Sequence, residues 1–65
     1  MSEQQKKYFT LLAIYHKVTD SGTSKQVRNT ILALEDFERG YYKAYGFGAL
    51  MSLMDSAQQR GLYVH

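Results

Sequence analysis

Apolar residues recur at helical intervals through most of the chain. Tyr8, Leu11, Leu12, Tyr15 and Val18 fall on one face of a helix, with Phe9 and Ile14 widening the stripe. Ser2 followed three residues later by Gln5 has the spacing of a capping box, and Glu3 stands four residues ahead of Lys7 in the favourable acid-first order. These signals predict a first helix over Ser2–Val18. Thr19-Asp20-Ser21-Gly22-Thr23 is a run of turn formers and reads as a loop.

Thr23 or Ser24 can cap the next helix, whose apolar stripe is Val27, Ile31, Leu34 and Phe37, with Gly40 as the candidate stop. That places the second helix at Ser24–Glu38. From Gly40 to Gly48 two periods compete. Tyr41, Lys43, Tyr45 and Phe47 alternate with Tyr42, Ala44 and Gly46 as in a strand, while one helical turn broken at Gly46 fits the same residues.

A last helix over Ala49–Arg60 carries Leu50, Met54 and Ala57 on one face, with Met51 and Leu53 beside them. Gly61 reads as its stop, and Leu62 as the residue that meets Ala57 in a Schellman ending. Arg39-Gly40-Tyr41-Tyr42 and Arg60-Gly61-Leu62-Tyr63 look like two similar helix endings. Leu62-Tyr63-Val64 favours an extended chain and is the candidate pairing partner of Tyr41–Phe47. The expected fold is all-α, a small three-helix domain over residues 1–65. A short two-stranded β-ribbon, and with it a winged-helix-like variant, is the open alternative.

Length narrows the means of holding such a fold together. A chain of 65 residues makes one domain and buries only about 60% of the surface its unfolded form exposes. There is no cysteine, which excludes disulfides and thiolate metal sites. Tight helix packing, self-association as a homodimer, or folding completed on a partner remain. Hydrophobic residues make up 45% of the chain, with no proline, so it has the apolar surface to fold. No run approaches the roughly 18 apolar residues of a membrane span. The first residues lead into an amphipathic segment without a cleavage-like end. A cytoplasmic protein without a membrane partner is the expectation.

Net charge is +2 and unevenly spread. Residues 1–34 carry five basic side chains against two acidic, a net +3, whereas residues 35–65 carry three against four, a net −1.

Catalytic and metal chemistry find little to use. His16 and Asp20 are four residues apart, but none of the serines at 2, 21, 24, 52 and 56 sits in a Gly-x-Ser-x-Gly turn. A histidine near a helix end more simply complements the dipole. His16 and His65 have no partner at metal-ligand spacing, and Glu35, Asp36 and Glu38 splay round a helix too widely to converge on one ion. They read as a solvated face, with Glu35 supporting Arg39 one turn on. Gly46-Phe47-Gly48 lacks the third glycine and the Lys-Ser/Thr pair of a phosphate loop. Arg39–Phe47 departs from the RNA-recognition-motif signature at Tyr42 and Lys43. No catalytic residue, metal ligand or cofactor is assigned, and a non-enzymatic role is expected.

Two binding readings survive. Six tyrosines and three phenylalanines are more than so small a core readily encloses. Tyr41, Tyr42, Tyr45 and Phe47, interleaved with glycines, form the densest group and the candidate surface for a protein partner, which Met51 and Met54 can extend. On this reading the chain is a small regulatory adaptor or inhibitor. The alternative is a helix-turn-helix transcription regulator. Ser24, Lys25, Gln26, Arg28 and Asn29, at the start of the second helix, carry the side-chain types that meet base edges and phosphates, and Lys43 would enter a wing.

Overall fold

The computed structural model describes residues 2–61 and consists of three helices. They are α1 (Glu3–Ser21), α2 (Ser24–Tyr45) and α3 (Phe47–Gln59). No strand occurs among the described residues, so the all-α expectation holds while the β-ribbon and the winged-helix variant do not. Tyr41–Tyr45 form the last turn of α2, and Phe47 begins α3. The segment Leu62–Val64 and its Schellman contact with Ala57 lie outside the described residues, as does His65.

Both long helices begin with the same device. In α1 the hydroxyl of Ser2 accepts from the Gln5 amide at 3.1 Å, and the Gln5 side chain accepts from the Ser2 amide at 3.2 Å. In α2 Thr23 and Gln26 make the reciprocal pair at 3.2 and 2.9 Å. Each box satisfies two main-chain donors at once.

The helices run further than the turn-forming residues suggest. Thr19 Oγ1 donates to the His16 carbonyl at 2.9 Å, and Ser21 Oγ to the Lys17 carbonyl at 3.2 Å. Hydroxyls bonded back to the preceding turn leave the helix intact instead of drawing the chain out of it. The expected five-residue loop shrinks to Gly22 and Thr23.

Gly40 likewise does not stop α2. It lies inside the helix on an exposed face, so Arg39-Gly40-Tyr41-Tyr42 is not a helix ending. A helical glycine costs roughly 1 kcal/mol relative to alanine. Rings spaced by four residues carry the helix through it: Phe37 stacks on Tyr41 at 5.9 Å, and Tyr41 meets Tyr45 at 4.6 Å. α2 ends at Gly46, whose φ of 94° and ψ of 172° are open essentially to glycine alone. α3 starts on the next residue and stops before Gly61, which takes φ 74°.

α1 and α2 form an antiparallel hairpin, and α3 folds back across it. The core cluster is Tyr8, Phe9 and Leu12 from α1, Leu34 from α2, and Leu53 and Ala57 from α3. Leu11, Tyr15, Phe37, Tyr41 and Met54 pack against it, half-buried. Tyr8 is fully enclosed and stacks on Phe37 at 5.3 Å. Arg60 closes one end, its guanidinium 5.0 Å from the Phe9 ring centre. Two residues expected in the inward stripes stand outside: Ile14 is 42% exposed and Ile31 39%. Val27 is half-buried, and the one described α2 residue in the fully buried class is Leu34, with Phe37 and Tyr41 packed beside it.

Candidate protein-binding surface

The tyrosine-rich group divides once α2 is seen to run to Tyr45. Tyr41 turns inward against the core and joins the ring stack that descends from Tyr8 through Phe37. Tyr42, Tyr45 and Phe47 point outward, 50%, 58% and 62% exposed. The kink at Gly46 brings Tyr42 at the end of α2 edge-on to Phe47 at the start of α3, with ring centres 6.4 Å apart and planes at 77°. Met51, one turn beyond Phe47, is also exposed, whereas Met54 packs on the core. Four large apolar side chains are thus left uncovered at the α2–α3 junction.

The opposite side of the tyrosine ladder borders a groove of about 310 Å³ between the start of α1 and the second half of α2. Phe37, Tyr41 and Tyr45 line it with Gln4, Lys7 and Asp36, and Gly40 and Ala44 leave it open. A Cβ at Gly40 would meet nothing within 4 Å. Tyr45 therefore faces both the groove and the outer surface.

The residues proposed for reading DNA are at the far end, next to the α1–α2 connection. Ser24, Lys25, Gln26, Arg28 and Asn29 are all exposed in the first turns of α2. Gln26 holds the capping box with its side-chain oxygen on the Thr23 amide, which limits its use for adenine. Lys43 lies in the last turn of α2, not in a wing, and so stands well away from this group along the helix. Beside Arg28, a second groove of about 410 Å³ runs from Thr19 and Gly22 past Val27 to Ile31 and Leu32. Ile31 and Leu32 are exposed apolar residues that periodicity alone did not single out as surface, because it expected Ile31 inside.

Charged groups are mostly solvated. The ion pair of Arg39 is with Asp36 at 3.7 Å, in place of the expected Glu35, and both side chains are more than half exposed. Glu38 has a different role: its Oε2 accepts a 2.7 Å hydrogen bond from the Tyr8 hydroxyl, linking α2 to α1. His16 lies edge-on to the Tyr15 ring at 5.8 Å. Among the described residues no three acids or histidines gather where a metal ion could be held. No described helix is long and apolar enough to cross a membrane. No family model, curated protein or solved structure matches this chain.

Proposed function

We propose that this chain is a small non-enzymatic regulatory or adaptor protein, an inhibitor in the simplest case, that acts by binding a protein partner at the α2–α3 junction. The observation that carries the reading is the exposure of Tyr42, Tyr45, Phe47 and Met51 together on a chain with so few buried side chains. Small folded chains gain stability from every apolar side chain they can enclose, so rings left outside in a group mark a contact surface. Tyrosine suits that purpose, since it offers a large rigid face with a polar tip.

The runner-up is DNA binding through Lys25, Arg28 and Asn29, which favours itself only by their common exposure at the start of α2. One experiment separates the two. Tagged wild-type chain, a Tyr42→Ser/Phe47→Ser variant and a Lys25→Ala/Arg28→Ala variant are used to capture partners with and without nuclease. All are checked for retained helical circular dichroism. A protein captured through nuclease treatment, and lost with the aromatic pair alone, supports the proposal. Capture that vanishes on digestion, or with the basic pair alone, transfers it to nucleic acid and makes salt dependence the next measurement.

A further inference from the structure

We propose that Gly46 is a hinge about which α3 changes places between two copies of the chain, so that the hairpin surface beneath α3 is a docking site for α3 of a second copy. The α2–α3 connection is this single residue: Tyr45 ends one helix and Phe47 begins the next. Its positive φ is what keeps the two apart. Rotation of Gly46 into the helical region, which glycine also adopts, fuses them into one helix from residue 24 to residue 59. At 1.5 Å per residue that helix is about 54 Å long.

The local structure at the start of α3 favours the fused form. α1 and α2 each open with a capping box, whereas no side chain caps α3. Free amides in a first helical turn need acceptors, and the carbonyls of a continuous α2 supply them. What opposes fusion within one chain is burial. At about 100° per residue, Leu50, Leu53 and Ala57 would fall roughly 140° round the helix from Leu34 and Tyr41. The apolar face of α3 would then point away from its own hairpin.

A second copy removes that conflict. Its own α3 having swung out, it leaves bare the same surface of Tyr8, Phe9, Leu12 and Leu34 that α3 covers in the single chain. Each copy receives the other's Leu53 and Ala57, so the monomer's core contacts are remade between chains, and the exchange closes as a two-fold dimer. The balance against this is the loss of translational freedom on association, which makes the exchanged form concentration-dependent. The kink contact between Tyr42 and Phe47 is lost, because residues five apart on a continuous helix stand about 140° from one another.

The test compares the full-length wild type with Gly46→Ala, which withdraws easy access to positive φ, by size-exclusion chromatography with light scattering over a concentration series. The expected result is a doubled mass for Gly46→Ala with undiminished helical circular dichroism. That dimer should persist when Tyr42→Ser and Phe47→Ser remove the exposed rings. A folded Gly46→Ala monomer overturns the proposal, as does a dimer that loss of the rings dissolves. Should Gly46→Ala lose its helical signal, the wild type refolded from denaturant at high concentration decides. A dimer fraction that disappears when Gly-Ser-Gly is inserted after Gly46 supports exchange, and a monomer at every concentration overturns it.

Discussion

The hydroxyl of Tyr8 donates to Oε2 of Glu38 at 2.7 Å while its ring, fully buried, lies stacked on Phe37. One side chain of α1 thus fixes two consecutive residues of α2, one by polarity and one by packing. Removing only the hydroxyl separates the two contributions. A hydrogen bond to a charged acceptor contributes about 1.5–3 kcal/mol, and the partial exposure of Glu38 lowers the figure. Tyr8→Phe should cost about 1 kcal/mol, which in a domain of this size lowers Tm by roughly 4–8 °C. Thermal unfolding followed by circular dichroism measures it, and an unchanged Tm would mean that the bond contributes nothing.

Gly22 is held by contact. A Cβ built there would lie 2.7 Å from the Val18 carbonyl oxygen, 2.7 Å from Gln26 Oε1 and 2.9 Å from Val18 Cβ. The glutamine can move, though only by leaving its cap, and the carbonyl cannot. Gly22→Ala should therefore destabilise by about 1–3 kcal/mol, as overpacking does. Its urea midpoint should fall with an unchanged slope.

Gly40 should respond in the opposite direction. It is helical, and open space surrounds the position of its missing Cβ. Gly40→Ala reduces the freedom of the unfolded chain and should stabilise by roughly 0.5–1 kcal/mol. A urea midpoint below that of the wild type would show that the groove at Gly40 is closed to a methyl group.

These two glycines also show how much of the fold can be read from residue order. Helical spacing located all three helices, and the Ser2–Gln5 pair located the first cap. Thr19–Thr23 has the residue types of a loop yet is mostly helix, because the hydroxyls of Thr19 and Ser21 bond back to carbonyls of the preceding turn. Gly40 looks like a stop but lies inside α2. The interval of four that joins Phe37, Tyr41 and Tyr45 was masked by the interval of two that joins Tyr41, Lys43, Tyr45 and Phe47. Of the candidate surface, residue order supplied Tyr42, Tyr45 and Phe47 as members, but exposure depends on which face α3 covers. Tyr41 was grouped with them and belongs with the core; Ile14 and Ile31 were grouped with the core and belong outside. Three short helices enclose a narrow stripe, and residues at its margins fall either way.

The core has little redundancy. Leu53 is 2% exposed and shares the core cluster with residues of both other helices. Leu53→Ala should cost about 2–5 kcal/mol. At about 0.05–0.15 kcal/mol per residue the whole chain is worth roughly 3–10 kcal/mol, so this single truncation should remove a large share of the stability and lower the unfolding midpoint markedly. Cooperative unfolding at the wild-type midpoint would place the weight of the core on Tyr8 and Phe9 instead.

Tyr42 and Phe47 belong to different helices and touch only because of the bend between them. A ligand that grips both rings binds the bent conformer and no other, so its binding energy is coupled to the bend. At a hundredfold excess over Kd that coupling adds about 2.7 kcal/mol in favour of the bent chain. For such a ligand, recognition and the persistence of the three-helix topology would be one equilibrium, and its concentration would set both.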